Sequence, residues 1–506
     1  MRSVEDYLIN NASLYPDKTA LIYEDKKTSY RELEDRVNRL ANGLEDLGVK
    51  KGDRVAILSQ NRPEYFETYC AGKNGFIIVP LSTRFIGREL QSLIKNSGAE
   101  TLIIEQDFIE TIEEIKDDIN SIRNFICIGD HPGYLNYERV LTTASTERRF
   151  SEVNDEDIWC ILYTAGTTGT PKGAMLTHKG LLDDALVQIQ ELKLATEDVT
   201  LHVMPFFHVG GIWYTLFPCI AKGMTNVIVK QFRPDGFLKT IKKYGVTRTF
   251  LVATMVISLL EELDKKEYDV STLDTIQYAA SPMPLETLKK AMKVFPKCRF
   301  FQQYGSTEAA GCTLSDEDHQ HTVKMKESLL SSCGRPWAGT EIKIVGDKGT
   351  EAEIGEIALK TTRMMVGYWQ NQEETARAIR DGWLFTGDMG RLDSDGYLYI
   401  ADRKKDMIIT GGENVYPTEV ENVLFRHPAV LEAAVFGVPD KKWVEAVKAV
   451  VVLREGSEAT EGELIGFCKS NISGYKCPKS IDFNTELPKS PAGKVLRRVL
   501  REKYSG

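Results

Sequence analysis

The stretch ILYTAGTTGTPKGAMLTH, residues 161–178, ends an apolar run in a loop of glycines, threonines and one lysine. Glycine tolerates positive φ and lets the backbone approach a ligand closely, while threonine adds hydroxyl donors and lysine adds a point charge. The loop therefore predicts a cradle for a polyphosphate that follows a strand. The residues that would form this cradle are Thr164, Gly166, Thr167, Thr168, Gly169, Thr170, Lys172 and Gly173.

Two other interpretations of this loop are weaker. Glycine and threonine are common in surface loops, but their density here favours a binding site. A Walker A loop has serine or threonine directly after its lysine, whereas Lys172 is followed by Gly173 and Ala174. Because no hydroxyl is left to hold magnesium, the sequence indicates a different kind of nucleotide loop.

Four further motifs follow in order: QQYGSTE at 302–308, GWLFTGD at 382–388, DRKKDMIITGG at 402–412 and PKSPAGK at 488–494. Together with residues 161–178, they resemble the ordered motifs of the acyl-adenylate-forming superfamily. That superfamily includes acyl-CoA synthetases, the adenylation domains of peptide synthetases and beetle luciferases. The resemblance covers essentially the whole chain. One departure is Ala165, where serine is frequent, and we expect neighbouring threonines and amides to replace the lost hydroxyl.

The resemblance implies how the phosphates of ATP would be bound. The loop from Thr164 to Lys172 would hold the β- and γ-phosphates, and Thr307 would contact the α-phosphate. Glu308 would help to hold a magnesium ion, which prefers a few protein oxygens together with phosphates. The competing interpretation for Glu308 is a solvated loop acid.

The resemblance also implies a nucleoside site. Asp388 would accept hydrogen bonds from the ribose hydroxyls, and Arg403 would be a second contact. Ordinary packing is the competing interpretation for the residues expected near the adenine. The remaining ATP-binding residues that the resemblance implies are Ala280, Ser281, Pro282, Gln303, Tyr304 and Gly305.

A mobile C-terminal module is implied as well. Lys494 matches the family's catalytic lysine, a cation near the α-phosphate, although a solvated basic tail is the competing interpretation. Asp402 matches the hinge about which the module rotates between adenylation and attack by a thiol. For CoA the resemblance implies Gly411 and Gly412, beside which the pantetheine arm could pass. Lys404 could attract the phosphates of CoA or belong to a solvated charge run.

The acyl pocket is less sharply defined. The segment PFFHVGGIW at 205–213 resembles the family's aromatic segment beside the substrate carboxylate, with His208 in the gating position. Adenylation domains for α-amino acids place an aspartate in this segment, and no carboxylate occurs from Phe206 to Leu216. An apolar or aromatic acid is therefore expected. Candidate wall residues, for each of which a place in the core is the favoured interpretation, are Phe207, Gly210, Gly211, Trp213, Thr254, Met255 and Ala279.

Composition narrows the remaining possibilities. A chain of 506 residues with a net charge of −9 is expected to form several domains and to have no surface for nucleic acid. No signal peptide is evident and no apolar run approaches the roughly 20 residues that span a bilayer, so we expect a cytoplasmic enzyme. Peripheral membrane contact and the oligomeric state, including a homodimer, stay open. Nine scattered cysteines predict reduced core thiols, and Cys312 could face a substrate.

Alternating strands and helices predict an α/β fold with a large N-terminal region of two doubly wound βα subdomains plus a β-rich subdomain. A small mobile α/β domain is expected to follow it. The second subdomain is expected to begin with a strand at Ile158–Tyr163, then the phosphate loop and a helix from about Lys179. The predicted domains are 1–401, which binds ATP and the acid, and 402–506, which carries Lys494. No fused carrier-protein domain is expected.

Together these features predict an ATP-dependent, AMP-forming carboxylate–CoA ligase that uses Mg2+, with CoA as co-substrate. The expected acid is a medium- or long-chain fatty acid, and an aromatic or cyclic acid of the benzoate, cinnamate or bile-acid type is the closest alternative. A free-standing enzyme that loads a carrier protein, a luciferase-like oxygenase and a non-catalytic nucleotide-binding scaffold are further alternatives. The scaffold hypothesis predicts damage at Lys494, Glu308 or Asp388, and all three residues are intact.

Overall fold

Two large sheets, parallel at their centres, form the body of the N-terminal region, and a third sheet and a small C-terminal unit follow them. The computed structural model describes residues 3, 5–149, 152–164, 171–280, 283–315, 317–319, 327–346, 349–403, 406–410, 413–440, 443–489 and 495–504.

The first sheet has eight strands, and its central strands are parallel. Arg54–Leu58 pairs in parallel with both Ile77–Leu81 and Thr101–Glu105, and nearly every side chain of the three strands is buried. Continuous apolar runs of this kind are typical of parallel strands that are covered on both faces. The strands in spatial order are Gly367–Tyr368, Lys172–Thr177, Ile158–Thr164, Ile77–Leu81, Arg54–Leu58, Thr101–Glu105, Asn124–Ile128 and Leu135–Asn136.

The second sheet has nine strands, two of which come from the N-terminus of the chain. Thr19–Tyr23 pairs in parallel with Thr225–Ile228, whereas Ile158–Thr164 belongs to the first sheet. The prediction that Ile158 begins the second subdomain is wrong, because an apolar run identifies a strand but not its partner. The strands in spatial order are Arg335–Pro336, Ala310–Leu314, Arg299–Gly305, Thr275–Ala279, Arg248–Val252, Val199–His202, Thr225–Ile228, Thr19–Tyr23 and Lys26–Ser29.

The segment after the phosphate loop is a strand, and a helix follows only later. Lys172–Thr177 runs antiparallel to Ile158–Thr164, and the helix begins at His178. Gly173 lies in this strand, where a Cβ atom would lie 2.6 Å from Cγ2 of Ile161. The absence of a side chain at Gly173 lets the two strands pack closely. The prediction that Gly173 takes part in a left-handed turn is therefore wrong.

Helices cover the faces of the two large sheets. In Tyr30–Asp46, the Ser29 hydroxyl accepts the N–H of Glu32 and the Glu32 carboxylate accepts the N–H of Ser29, which caps the first turn. The other helices of the N-terminal region are Asp6–Leu14, Pro63–Ala71, Gly87–Ser97, Ile109–Glu113, Tyr137–Thr143, His178–Glu191, Phe217–Lys222, Pro234–Tyr244, Ala253–Lys265, Leu285–Val294 and Gln372–Ala378, with a π-helical turn at Ile212–Leu216.

The third sheet is antiparallel and forms the expected β-rich subdomain. Its last strand in the chain, Leu398–Arg403, pairs antiparallel with Trp383–Leu392 and places the backbone of Arg403 opposite Asp388. Its strands are Thr340–Val345, Gly355–Thr361, Trp383–Leu392, Ile379–Arg380 and Leu398–Arg403.

The C-terminal residues form a small α/β unit with an apolar core of its own. Its strands are Glu413–Val415, Ile408–Thr410, Val444–Leu453, Val430–Asp440 and Ser480–Phe483, and its helices are Pro417–Leu424, Glu461–Asn471 and Arg497–Tyr504. The unit agrees with the expected fold class. A domain boundary at Asp402 stays a prediction.

Two predictions from composition can be compared with the described residues. Within these residues, no helix combines the length and apolar character needed to cross a bilayer. Eight cysteines are free thiols and all eight are buried, which confirms them as core thiols. Of Cys312 only the backbone is described, opposite Tyr304.

Candidate active site

Most described site residues follow the carboxyl ends of parallel strands, the usual place for ligands in open α/β sheets. Of Arg403 only the backbone is described. The predicted site residues that lie outside the described residues are Gly166, Thr167, Thr168, Gly169, Thr170, Ser281, Pro282, Lys404, Gly411, Gly412 and Lys494.

Lys172, the lysine of the phosphate loop, contacts two residues that sequence reasoning missed. Its ammonium group forms an ion pair with Glu374 and lies 5.4 Å from the ring centre of Tyr368. Tyr368 reaches this position because Gly367–Tyr368 pairs antiparallel with Lys172–Thr177. The lysine therefore lies between an aromatic face and a carboxylate.

Glu374 is shared between two cations. Besides the ion pair with Lys172, its carboxylate accepts a hydrogen bond from Arg377, which also bonds Glu373. The hydrogen bond from Lys172 is the main reason that the pKa of Glu374 is lowered. On the other side of the loop, the Thr164 hydroxyl donates to the Lys172 carbonyl over 3.4 Å.

Glu308, the predicted magnesium ligand, is joined to the same array. The Tyr368 hydroxyl donates to Glu308 Oε1 over 2.9 Å. The Glu308 N–H donates to Ser306 Oγ over 3.1 Å, and its carbonyl accepts the N–H of Met365 at 2.7 Å. The Tyr214 hydroxyl donates to the Ser306 carbonyl over 2.6 Å. These bonds fix the turn that presents the carboxylate.

The predicted ribose and adenine residues are in direct contact. The Tyr304 hydroxyl donates to Asp388 Oδ2 over 2.8 Å, and both side chains are buried. Burial, and after it the Asp388 carboxylate, hold the pKa of Tyr304 well above its usual value, so the phenol stays a neutral donor. Gly305 ends the strand and Thr307 lies in the following turn. The residues predicted near the adenine and the α-phosphate, Tyr304 and Thr307, are thus adjacent along the chain.

The acyl segment is held by side chains from the helix Pro63–Ala71 and the loop before it. The Asn61 amide donates to the Met204 carbonyl and accepts the N–H of Phe206, each over 2.8 Å. The Tyr69 hydroxyl donates to the Phe206 carbonyl over 3.0 Å. His208 then caps a short helical turn, with Nδ1 accepting the N–H two residues later at 3.2 Å. A neutral ring that accepts at Nδ1 carries its proton at Nε2.

The two glycines after His208 have different roles. A Cβ atom on Gly211 would lie 2.1 Å from the Pro205 carbonyl oxygen, so its space is taken by the chain itself. A Cβ atom on Gly210 would meet nothing closer than 3.5 Å. Glycine at 211 therefore allows the close turn with Pro205, and its place in the acyl pocket stays a prediction.

An apolar cluster lies next to Gly210, whose Cβ position is close to Met204 and Phe250 of that cluster. Two further predicted wall residues are half-buried. Phe207 lies in the acyl segment, and Thr254 lies at the start of the helix Ala253–Lys265. This cluster includes Ala279 and Met255, two of the residues predicted to line the acyl pocket. Its members are Ala279, Met204, Phe250 and Val252, with Met255 and Ala280 packed against them.

Ala280 is held in an unusual backbone conformation. Its φ is 73°, in the left-handed region that residues with a Cβ atom rarely adopt. Strain of this kind costs about 1–3 kcal/mol and clusters at ligand sites. The prediction of an adenine contact here is consistent with this strain.

Trp213 is buried in the core, with 2% of its surface exposed, and its ring centre lies 6.1 Å from that of Trp159. It also touches the helix His178–Glu191, because a Cβ atom on Gly180 would lie 3.4 Å from Trp213. One turn beyond Gly180, the same helix carries Asp184, which is fully buried.

Gln303 belongs to this buried region as well. Its amide donates to Gln188 Oε1 over 3.0 Å, and Gln188 donates to Asp184 Oδ2. Burial raises the pKa of Asp184 to about 7, against the opposing effects of Gln188, Arg363 and Trp213. The side chain of Gln303, expected at the ATP site, is thus directed to the helix His178–Glu191.

Asp402, the predicted hinge, is tied to the C-terminal unit. Its Oδ2 accepts the N–H and hydroxyl of Thr418 at 2.8 and 3.0 Å, and its Oδ1 lies 3.4 Å from Arg497. Arg497 also pairs with Glu421 and Asp406. The interpretation that competes with a catalytic Lys494, a solvated basic tail continuing into Arg497, does not hold at Arg497, which is largely buried and pairs with three carboxylates.

The residues fit a phosphate-bound magnesium ion better than a protein cage. Among the described residues, no three or more His, Cys, Asp or Glu side chains come together as a metal site. Magnesium bound to a nucleotide keeps several waters and needs only one or two carboxylates. Glu308 supplies such a carboxylate beside the array that holds Lys172.

These features define an α/β protein with a large N-terminal domain and a small C-terminal one. The chain belongs to the AMP-binding enzyme family: that family matches residues 8–369, and its C-terminal domain matches residues 419–494. The resemblance inferred from the motifs is confirmed.

Relatives and a solved structure agree over nearly the full length. The chain is 36% identical to a feruloyl-CoA synthase of Amycolatopsis sp, with 98% of each chain covered. It is 34% identical to a long-chain-fatty-acid–CoA ligase of Bacillus subtilis (strain 168), covering 99% of this chain and 94% of that one. The structure of an anthranilate CoA ligase with anthranoyl-AMP superposes with a TM-score of 0.92 at 29% identity, covering 99% of this chain and 97% of that one.

Proposed function

We propose that this protein is an ATP-dependent, AMP-forming carboxylate–CoA ligase. The observation that carries the proposal is the connected array of Lys172, Tyr368 and Glu308 beside the pair of Tyr304 and Asp388. One cation, one metal-binding carboxylate and one buried carboxylate for vicinal hydroxyls are what a nucleoside triphosphate requires.

The reaction consists of two displacements. In the first, a carboxylate oxygen of the acid attacks the α-phosphorus of ATP, the bond to the bridging oxygen breaks, and pyrophosphate leaves. In the second, the thiol of CoA loses its proton and attacks the acyl carbonyl, and AMP leaves with the oxygen that joined the two groups. Only interactions that stabilise the charge on the α-phosphate in the transition state speed the first step.

The described site residues have separate roles in the first step. Lys172 binds the outgoing phosphates, Asp388 fixes the ribose, and the turn at Thr307 lies beside the α-phosphate. Glu308 would hold magnesium, which would neutralise phosphate charge when bound. His208, whose ring is oriented through Nδ1, lies on the acyl segment and positions the acid carboxylate.

The C-terminal unit supplies the remaining groups in this proposal. Lys494 supplies a cation to the α-phosphate during adenylation, and Gly411, Gly412 and Lys404 face CoA during thiol transfer. The unit turns as residues 402–506 about Asp402. The bonds from Asp402 to Thr418 and Arg497 support this boundary, because they connect the end of the third sheet to the moving part. A reduced cytoplasmic location agrees with the eight buried thiols.

For the acid we propose a compact aromatic carboxylate. Relatives named for ferulate and anthranilate support this choice. The fatty acid expected from sequence is the second candidate, which the relative named for long-chain fatty acids supports. Transfer to a carrier protein is the alternative to CoA.

A substrate panel tests the proposal. Pyrophosphate release is measured with ATP and Mg2+ across fatty, aromatic and cyclic acids, with and without CoA, and products are identified by mass spectrometry. We expect turnover that requires an acid and ends in AMP and an acyl-CoA. ATP binding without pyrophosphate release from any acid, with CoA or with a holo-carrier protein, would contradict the proposal.

A further inference from the structure

Arg497, the first residue of the last helix Arg497–Tyr504, lies among buried carboxylates. Its Nε and Nη2 atoms contact the two oxygens of Glu421 at 3.1 and 2.7 Å, so this contact is bidentate. Its Nη1 atom lies 3.4 Å from Asp402 Oδ1 and 3.7 Å from Asp406 Oδ2. Only 17% of the Arg497 side chain is exposed. These four residues are called the Arg497 cluster below.

The carboxylates of the Arg497 cluster come from two parts of the structure. Glu421 belongs to the helix Pro417–Leu424 of the C-terminal unit, and its Oε1 also accepts the N–H of Val435 at 2.8 Å. Asp402 belongs to the strand Leu398–Arg403 of the third sheet. One side of the guanidinium is therefore fixed to the C-terminal unit and the other side to the third sheet.

The contact with Asp402 leads to the predicted ribose site. In the antiparallel pairing of Leu398–Arg403 with Trp383–Leu392, the residue directly after Asp402 lies opposite Asp388. Two paired strands hold each other through backbone hydrogen bonds, so they move as one body. Arg497 is thus connected to the strand that carries the Asp388 carboxylate.

The helix that begins at Arg497 also follows directly on the segment that carries Lys494. Lys494 itself lies outside the described residues, but the chain is anchored on either side of it. Before it, the Lys489 ammonium group pairs with Glu432 of the C-terminal unit at 2.5 Å. After it, Arg497 forms the second anchor, and this anchor reaches the third sheet through Asp402.

The second anchor restricts where Lys494 can act. Three residues of extended chain span at most about 11 Å, so a fixed Arg497 limits the positions open to the backbone of Lys494. A lysine carries a point charge on a flexible stem and lacks the planar fork that fixes an arginine. A lysine that acts on the α-phosphate must therefore be positioned by its surroundings.

We infer that Arg497 is a positioning residue for acyl-adenylate formation: it connects the segment that carries Lys494 to the strand that carries Asp388, and so fixes the lysine relative to the ribose carboxylate. The inference rests on the proposed ligase function and adds a residue to its first step. Arg497 acts through Lys494 and not on an atom of the substrate. If Arg497 only stabilises the C-terminal unit, its replacement should affect both half-reactions alike.

The first test uses variants that keep a cation in the Arg497 cluster, because Arg497→Ala would leave buried carboxylates unpaired and endanger folding. Arg497→Lys keeps the charge but loses the fork that holds two carboxylates. Asp402→Asn keeps an oxygen for Thr418 but loses the charge that faces Arg497. Adenylation is measured as acid-dependent pyrophosphate release. Thiol transfer is measured as acyl-CoA formed from the supplied acyl-adenylate of the best acid in the substrate panel.

We expect kcat for adenylation to fall at least about tenfold in both variants, because a misplacement of about 1 Å can cost about a hundredfold in rate. KM for ATP and the rate of thiol transfer should be retained, which also shows that the variants fold. Asp406→Asn is the matched control: it removes a charge from the same cluster but lies outside the strand Leu398–Arg403, and it should adenylate at the original rate. Equal losses in both half-reactions, unchanged adenylation in Arg497→Lys, or an equal loss in the control would overturn the inference.

The second test is a double-mutant cycle with Lys494→Ala. Arg497→Lys should slow adenylation in the original protein and cause no further loss once residue 494 is alanine, because no cation is then left to position. Losses that multiply would show that Arg497 acts independently of Lys494 and would overturn the inference. Unchanged adenylation in Lys494→Ala would overturn the inference together with the role of Lys494, while the ligase function stands. No pyrophosphate release from any acid with the unaltered protein would overturn the ligase function itself.

Discussion

The ion pair between Glu374 and Lys172 should compete with ATP. Glu374 neutralises the lysine that the proposal assigns to the outgoing phosphates, and the two side chains are 20% and 15% exposed. Removing the carboxylate charge in Glu374→Gln frees Lys172 and removes a negative charge beside the triphosphate. The variant should therefore bind ATP more tightly than the original protein.

The magnitude follows from the charges. Two unit charges about 5 Å apart in a largely water-like dielectric interact by about 1 kcal/mol, which corresponds to about a fivefold change in affinity. Isothermal titration of ATP at low salt should show this gain, and the gain should shrink at high salt because ions screen the pair. AMP, which lacks the β- and γ-phosphates, should bind unchanged.

Glu373→Gln is the matched control. Glu373 bonds Arg377, as Glu374 does, but the structure gives it no bond to Lys172 within the described chain. Its replacement should leave ATP affinity within about twofold, as expected for an exposed ion pair. Unchanged or weaker ATP binding in Glu374→Gln, or equal tightening of AMP, would refute the reasoning.

Three further outcomes are expected. Tyr368→Phe removes the hydroxyl that orients Glu308, so adenylation should need several-fold more Mg2+ while AMP affinity is retained, and an unchanged Mg2+ requirement would count against this role. Arg497→Ala leaves a buried acidic cluster without its cation, which should cost about 3–5 kcal/mol and lower the Tm of the C-terminal unit, measured by calorimetry. Burial lowers the pKa of His202 to about 4. Between about pH 6.5 and pH 4 the unfolded chain therefore binds more protons at this residue than the folded protein does, and folding stability is lost as the pH falls through this range. His202→Gln should make that loss shallower in denaturant unfolding, and identical pH profiles would contradict it.

Local patterns were enough to predict the fold class, and the resemblance of the motifs was enough to propose a nucleoside site. Apolar runs mark the strands, and motif order identifies Tyr304 and Asp388 as neighbours of one ligand, which the hydrogen bond between them supports. Tyr304 lies near the end of a strand of the second sheet, whereas Asp388 lies inside a strand of the antiparallel third sheet. Their proposed roles rest on the resemblance of the motifs and did not require knowledge of the sheet order.

Pairing between distant segments could not be predicted in the same way. Tyr368 and Glu374 reach Lys172 because a two-residue strand joins the first sheet about two hundred positions later in the chain. Nothing in so short a run indicates its partner. The N-terminal strand at Thr19–Tyr23 was missed as part of the second sheet for the same reason.

The burial of charged side chains could not be predicted from the sequence either. Arg497 reads as one of several basic residues in a tail, and its burial depends on carboxylates that come from Asp402, Asp406 and Glu421. Asp184 likewise lies in a helix whose periodicity shows only that the position faces inward. Whether an inward carboxylate is a ligand contact or part of the core depends on three-dimensional neighbours such as Gln188 and Gln303.

The central claim is that the acid is activated as an acyl-adenylate, and an isotope experiment tests it most directly. The best substrate from the panel is prepared with 18O in both carboxylate oxygens and converted with ATP and CoA, and the products are analysed by mass spectrometry. Attack of the carboxylate on the α-phosphorus predicts one 18O atom in AMP and none in pyrophosphate. Label in pyrophosphate or inorganic phosphate, or unlabelled AMP beside acyl-CoA, would contradict the account.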